Sequence, residues 1–289
     1  MSAILKSDAD NSAKQDLDNL KIRRVTTHCG AEISGVDLRE PMTEAVYRSI
    51  RQALVDHGVI FFRNQPLTTK QYEAFGKRFG RAFRPESKFM PVLPGSDIIA
   101  EVRKDEGMER NIGGSWHTDQ SFRSSPSWGT MLLCREIPEH GGDTLWSSMT
   151  AAYDRLSDGL KRTLETLRAV HWNIGVQLRM KSGKEPDPAV IHPAIIRHPE
   201  SGRKILYLNA SYVQHFEGWT REESAGLLRH IYEIAQQPEF FCRFHWEKDS
   251  IAFWDNYQTW HYAVNDYDAG ERIMHRIVVD GLPITSNQS

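Results

Sequence analysis

The chain has 289 residues, and its 36 Lys and Arg nearly balance its 38 Asp and Glu, which leaves a formal charge of −2. Such a balance is typical of a globular protein in water and argues against nucleic-acid or membrane-surface partners. No apolar run is long enough for a transmembrane helix, and we expect no cleaved secretory signal. The three Cys form no C-x-x-C pair, which favours a reducing cytoplasm over a disulfide framework or a zinc ribbon.

The first third of the chain predicts two helices around one buried strand. Residues 1–20 are rich in Ser, Asp, Asn, Lys and Gln, which predicts a mobile tail. Apolar residues at helical spacing predict a helix over 43–57, with Gly58 as its stop. Val59–Phe62 reads as a buried strand, and a second helix should run from Thr68 to Gly80.

From Asp97 onward, short β-prone runs alternate with Gly, Pro and Ser, which predicts strands joined by turns. Residues 149–169 predict two helices with a break at Ser157. The polar stretch from Trp172 to His192 is rich in Gly and Pro and predicts a lid or disorder. The remaining predicted elements are a helix over Thr220–Gln236 and strands over Phe240–Trp246, Ser250–Trp254 and Arg272–Val279. With no repeat or linker, we expect one domain over 21–289, a β core with helices outside it.

One short motif points to metal chemistry. In a β-strand, side chains two positions apart share a face, so His117 and Asp119 would aim an imidazole and a carboxylate at one point. They supply two thirds of the 2-His-1-carboxylate triad that holds non-haem Fe(II) and leaves three metal positions open. On its own, the pattern is common by chance. His261, which follows a strand-like run, is the candidate for the third ligand.

A second cluster is cationic. If Arg272–Val279 is a strand, then Arg272 and Arg276 share one face. A buried unpaired Arg is costly, so two inward arginines would imply anionic partners. The alternative from these residues alone is an exposed edge strand with solvated arginines.

Taken together, these motifs resemble the taurine dioxygenase and 2,4-dichlorophenoxyacetate dioxygenase family of Fe(II)/2-oxoglutarate-dependent oxygenases. The resemblance runs from about Leu20 to Leu282, and its landmarks stand in the family order. They are Gly30–Leu38, Trp116–Asp119, Gly141–Trp146, Trp254–Asn256 with His261, and Arg272–Arg276. The resemblance implies a β-rich α+β fold, a double-stranded β-helix (jelly roll) core with flanking helices.

The resemblance also implies the role of each site residue. His117, Asp119 and His261 match the iron ligands. Thr144 and Arg272 match the residues that bind the distal carboxylate of 2-oxoglutarate. Arg276 matches the arginine that meets the sulfonate of the substrate in the taurine enzyme. The implied cofactor is Fe(II), with 2-oxoglutarate and O₂ as co-substrates and succinate and CO₂ as products. A homo-oligomer is expected, since relatives are often dimers or tetramers.

The chain departs from the taurine enzyme where that enzyme binds its substrate. No His occurs between His57 and His117, although the taurine enzyme has a substrate-binding His in that part. A substrate-contacting Asn is replaced by the run that begins at Gly113. The site therefore loses polar groups and gains room. Tyr212, Trp172 and Trp219 could line it or could be ordinary core aromatics.

These patterns predict an enzyme that hydroxylates a small anionic molecule with a bulky apolar or aromatic body, not taurine. Hydroxylation of a carbon that carries a sulfonate, a sulfate ester or an aryl ether would break the C–S or C–O bond. Three alternatives remain open. The same scaffold could desaturate its substrate or close a ring, the protein could be a non-catalytic metal- or ligand-binding β-barrel, or zinc could occupy the triad of a hydrolase.

Overall fold

The computed structural model describes residues 19–83, 90–105, 108–173, 187–267 and 269–284. The strands are β1 (Lys21–Arg24), β2 (Ala31–Ser34), β3 (Val59–Phe62), β4 (Ala100–Lys104), β5 (Gly129–Glu136), β6 (Thr144–Ser148), β7 (Arg168–His171), β8 (Val190–Pro193), β9 (Ile195–Arg197), β10 (Lys204–Leu206), β11 (Val213–Phe216), β12 (Phe241–Phe244), β13 (Ile251–Asp255), β14 (Thr259–Ala263) and β15 (Arg272–Val279). The helices are α1 (Glu44–His57), α2 (Thr69–Arg78), α3 (Met149–Arg155), α4 (Asp158–Leu164) and α5 (Arg221–Ala235), with a 3₁₀ turn at Pro238–Phe240.

The main sheet has seven strands in the order β1-β2-β3-β13-β5-β15-β4, and a second sheet has the order β12-β6-β14. All pairs in these two sheets are antiparallel except β2 with β3. Smaller sheets, β11-β7-β8 and β10-β9, complete the described strands. Sequence neighbours are mostly not sheet neighbours, so residues far apart in the chain meet in the site.

The centre of the main sheet is buried on both faces, which explains the unbroken apolar run of β3. Val59 and Phe61 face an apolar cluster shared with the second sheet, including Trp146 and Phe244. Ile60 and Phe62 face the opposite cluster, which α1 and α2 cover. The second sheet therefore packs on one face of the main sheet and two helices pack on the other.

The sequence predicted the helix starts well because their capping chemistry is local. The hydroxyl of Thr43 accepts from the backbone N–H of Val46 at the start of α1, and Gly58 ends this helix with φ of 75°. Thr68 and Gln71 form a reciprocal capping box at the start of α2. Ser157 caps α4, which confirms the predicted break.

Several predicted elements need correction. The helical prediction over 149–169 is wrong at its end, because Arg168–His171 is strand β7. The predicted irregular stretch from Trp172 to His192 ends in strand β8, which begins at Val190 and pairs with β7. Residues 174–186, most of the predicted lid, lie outside the described residues.

The small strands β9 to β11 and strand β14 were not predicted. Of the predicted tail over 1–20, residues 1–18 lie outside the described residues. The single domain over 21–289, the homo-oligomer and the cytoplasmic location stay predictions. None of the helices in the described ranges has both the length and the apolar character needed to cross a membrane.

Candidate active site

Three predicted metal ligands meet at the open edge of the second sheet. His261 lies in the middle of β14, and His117 pairs with it through an isolated antiparallel bridge. The backbone N–H of His117 donates to the carbonyl of His261 at 3.2 Å, and that of His261 donates back at 2.7 Å. Asp119 lies in the turn that follows. The prediction that the H-x-D motif lies within a strand is therefore wrong, although the two side chains do converge.

The convergence is close enough for one divalent ion. One ligand atom from each of the three residues lies within 4.8 Å of the others. Oδ1 of Asp119 is 4.0 Å from Nε2 of His117 and 3.9 Å from Nε2 of His261. Two imidazoles and one carboxylate form the donor set of a facial-triad Fe(II) site. The residues present fit a non-haem iron ion.

The two histidines are oriented in different ways. Nδ1 of His117 lies 2.7 Å from the carbonyl oxygen of Ser115; because a carbonyl only accepts, Nδ1 carries the proton and Nε2 is free to bind metal. Nδ1 of His261 has no hydrogen-bond partner among the described residues. Its ring packs instead against Trp254, with centroids 4.7 Å apart. Burial lowers the pKa of both imidazoles, although Asp119 opposes this effect. Both are therefore neutral at pH 7, as metal ligands must be.

The carboxylate of Asp119 is held at both oxygens. Oδ2 accepts a 2.7 Å hydrogen bond from the hydroxyl of Thr130, and Oδ1 lies 2.7 Å from Nη2 of Arg276. Burial alone would raise the pKa of Asp119, but the guanidinium of Arg276 and the two imidazoles outweigh it and lower the pKa. The carboxylate is therefore ionised at neutral pH.

A buried cation marks a second pocket at the start of β15. Arg272 is 4% exposed, and its Nε donates to the carbonyl of Gly142 at 3.0 Å while Nη2 donates to the hydroxyl of Thr144 at 3.3 Å. Burial lowers the pKa of its guanidinium. No salt bridge to Arg272 occurs within the described ranges. A buried Arg without a counter-ion favours an anionic partner, and the distal carboxylate of 2-oxoglutarate stays the predicted one.

Thr144 can complete that pocket. Its hydroxyl also accepts a 2.9 Å hydrogen bond from Nε1 of Trp246. Since Arg272 and Trp246 are both donors, the hydroxyl proton of Thr144 is left to donate to an anion. The structure therefore brings the two residues predicted for 2-oxoglutarate together.

The loop before Thr144 is held by side-chain contacts of the Asp143 carboxylate. Gly141 and Gly142 have φ of 74° and 72°, a conformation that favours glycine. Asp143 follows, and its carboxylate accepts from Nε of Arg243 at 2.5 Å and from Nδ1 of His245 at 2.9 Å. These contacts fix the position of the loop that contacts Arg272.

The residues predicted to bind substrate lie beside the triad. Nη1 of Arg276 is 4.0 Å from the sulfur of Met90. Tyr212 packs edge-on against Phe122, and burial raises the pKa of its hydroxyl, an effect that the charge of Asp119 strengthens. Gly113 has φ of 84°, and a Cβ there would lie 3.3 Å from the ring of His117.

The other aromatic candidates behave differently. Trp219 packs on Phe216 in a third apolar cluster, formed around α3, α5 and the small sheets. Nε1 of Trp172 donates to the carbonyl of Asp187. The sequence interpretation missed Thr130 and Trp246, which contact site residues directly. Nothing in their local sequence marks them, because each contact joins strands far apart in the chain.

Comparison with known proteins agrees with this geometry. The family model described as "Taurine catabolism dioxygenase TauD, TfdA family" matches residues 21–278. The alkylsulfatase of Acinetobacter baylyi is 34% identical over 276 residues, which cover 91% of this chain and 85% of that protein. The alpha-ketoglutarate-dependent sulfate ester dioxygenase of Pseudomonas putida is 32% identical over 278 residues, which cover 91% of this chain and 90% of that one.

A solved structure gives the same result for the fold. The crystal structure of a taurine dioxygenase from Burkholderia xenovorans superimposes with a TM-score of 0.81 at 32% sequence identity, and the match covers 94% of each chain. The predicted jelly roll is thereby confirmed. The chain belongs to the TauD, TfdA family and is a 2-oxoglutarate-dependent non-haem iron dioxygenase that uses Fe(II), 2-oxoglutarate and O₂.

Proposed function

We propose that this dioxygenase hydroxylates an anionic organic molecule with a bulky apolar or aromatic body, and that a sulfate ester is its preferred class. One oxygen atom of O₂ enters succinate and the other enters a C–H bond of the substrate. If that carbon carries the ester oxygen, the hydroxylated product loses sulfate as its C–O bond breaks, and an aldehyde remains. The names of two relatives, an alkylsulfatase and a sulfate ester dioxygenase, support this choice.

In this proposal each part of the site has one task. His117, Asp119 and His261 hold the iron, which supplies the oxidising chemistry when bound. Arg272 and Thr144 bind the distal carboxylate of 2-oxoglutarate and so orient its other end toward the triad. Their burial excludes water from the pocket, which strengthens each charged contact.

The observation that carries the substrate class is the position of Arg276. Its side chain is 13% exposed and lies against the metal-ligand carboxylate, so an anion bound to it would sit beside the reacting centre. A charge-assisted hydrogen bond there fixes orientation as well as affinity. The substrate carbon next to the anionic group would therefore be the one held nearest the iron.

The surroundings of Arg276 favour an apolar body. The sulfur of Met90 is 4.0 Å from its Nη1. Burial raises the pKa of Tyr212, which packs against Phe122, and the charges of Asp119 and Arg276 are near enough to shift that pKa as well. Gly113 leaves space beside His117, where any side chain would crowd the imidazole. A small zwitterion such as taurine would find few partners for its ammonium group. An apolar pocket tolerates variation in shape more readily than a polar one.

Substrate-stimulated turnover tests the proposal. Linear and aryl-substituted sulfate esters, the matched sulfonates, phenoxyacetates and taurine would each be supplied with Fe(II), 2-oxoglutarate and O₂, and succinate and inorganic sulfate would be quantified. We expect sulfate to appear in equal amount to succinate with the esters. The corresponding uncharged alcohols serve as matched controls and should stimulate little turnover. Efficient turnover of taurine, or succinate formation from esters without sulfate release, would contradict the proposal.

A further inference from the structure

The landmark Trp254–Asn256 includes a buried amide whose orientation the structure determines. Asn256 is 1% exposed and lies between β13 and β14, just before the strand that carries His261. Its Oδ1 accepts from Nε1 of Trp254 at 2.9 Å and from the backbone N–H of Asp119 at 3.3 Å. Both partners can only donate, so Oδ1 must face them and Nδ2 must face the other way.

Nδ2 of Asn256 points at two hydroxyl groups. It lies 2.9 Å from Oγ1 of Thr130 and 3.3 Å from Oγ of Ser127. Because the Thr130 oxygen accepts from Asn256, its single proton is left for Oδ2 of Asp119, 2.7 Å away. The direction of the chain of hydrogen bonds is thereby fixed, from Asn256 through Thr130 to the carboxylate.

The same segment also holds the backbone around the ligand. The hydroxyl of Thr118 donates to the carbonyl of Asn256, and the N–H of Asn256 donates to the carbonyl of Trp128 at 2.7 Å. These groups are buried or nearly so, where lost hydrogen bonds are costly. Asn256 therefore joins the segment that carries Asp119 to the hairpin that carries His261.

We propose that Asn256 and Thr130 are positioning residues that make Asp119 a one-oxygen metal ligand. Thr130 occupies Oδ2. Oδ1 faces both imidazoles, and beside its contact with Nη2 of Arg276 it keeps a second lone pair for the metal. A carboxylate held in this way leaves more metal positions for the co-substrates than one that binds through both oxygens. The inference rests on the metal centre and is independent of the proposed substrate class.

Metal binding by Thr130 variants tests the inference without any turnover. Thr130→Val keeps the shape of the side chain and removes the hydroxyl. We expect it to weaken Mn(II) binding about 10- to 100-fold, as loss of such a supporting contact commonly does, while Thr130→Ser stays within about threefold of the wild type. Binding would be measured by titrating Mn(II) and following the electron paramagnetic resonance signal of the free ion. Thr150→Val is a matched control, because Thr150 is equally buried but bonds to Ser148.

A second pair of variants covers the case in which valine prevents folding. Thr130→Ser and Thr130→Ala differ only in one hydroxyl, and circular dichroism would confirm that both are folded. A loss of affinity in alanine that serine does not share supports the inference. Equal Mn(II) affinity within the Ser/Ala pair, and within the Thr/Val pair where valine folds, would overturn it. So would a loss of the same size in Thr150→Val.

Discussion

The two arginines of β15 lie four residues apart and have different surroundings. Arg272 is enclosed, with its contacts to Gly142 and Thr144 already in place, whereas Arg276 borders the triad with a soft methionine sulfur beside it. Arg272 has no carboxylate partner within the described ranges, whereas Arg276 already lies 2.7 Å from Oδ1 of Asp119 and keeps only its remaining N–H groups for a substrate. If the proposed roles of the two arginines are right, co-substrate binding and substrate choice depend on different residues of one strand, and each can be changed without the other.

The largest loss of activity should come from changes to the triad, because turnover needs the metal whichever arginine binds which ligand. Replacing His117 or His261 by alanine removes one of three metal ligands, and we expect turnover to fall below detection. Succinate formation measures this, with circular dichroism as the check that the fold is retained. Full activity in an iron-free, chelator-treated wild-type preparation would contradict the assignment of iron chemistry to this site.

Next in size is the loss of Arg272. Arg272→Ala would leave the distal carboxylate of 2-oxoglutarate without a counter-ion in a buried pocket, at a cost of about 3–5 kcal/mol, as when one partner of a buried ion pair is removed. The apparent KM for 2-oxoglutarate should rise roughly 150- to 5000-fold. The KM for the organic substrate should change little, which is the internal control. An unchanged dependence on 2-oxoglutarate would remove Arg272 from this role.

Arg276→Ala should produce the reverse pattern with a smaller effect. Loss of the hydrogen bond to the substrate anion costs about 1.5–3 kcal/mol, so the KM for the anionic substrate should rise roughly 10- to 100-fold. The contact with Asp119 is lost as well, so metal affinity should be measured alongside. The kcat should also fall if the anion positions the C–H bond. Steady-state kinetics with each substrate varied in turn would show it. Normal kinetics of this variant on the best sulfate ester would contradict a role of Arg276 in substrate binding.

The smallest expected effect concerns the loop that supports Arg272. Asp143→Asn keeps the shape but weakens the charged contacts from Arg243 and His245. Arg243 is about half exposed, so solvent screens part of its contribution. The KM for 2-oxoglutarate should rise about three- to tenfold, in line with a loss near 1 kcal/mol. The KM for the organic substrate should stay at the wild-type value. A change in that KM instead would show that the loop of Asp143 supports substrate binding near Arg276.

What could be predicted from the sequence depended on how local each signal was. Helix starts were predicted because Thr43 and Thr68 bond to groups three residues away. Strand β14 was missed because five residues directly after a turn give too short a pattern. Its neighbouring strand in the sheet, β6, is far away in the chain. Short strands gain stability from partners that a local pattern does not contain.

The same distinction applies to the site. His117 and Asp119 stand two residues apart, so the motif was visible, and the family resemblance supplied Thr144, Arg272 and Arg276. Thr130 was missed because its contact with Asp119 depends on how the turn after His117 folds back on β5. The reasoning from strand periodicity led to the right pair of side chains by way of the wrong backbone conformation.

The backbone bridge between His117 and His261 has a consequence for how the protein gains stability from its metal. Two reciprocal hydrogen bonds already hold these residues opposite each other. Folding of the chain alone therefore orders the two ligands, and metal binding costs no further conformational entropy there. Metal should then stabilise the protein by simple mass action, with a melting temperature that rises smoothly with the ion concentration. The polypeptide should also remain folded through cycles of metal removal and reloading, unlike small domains that unfold when their metal is removed.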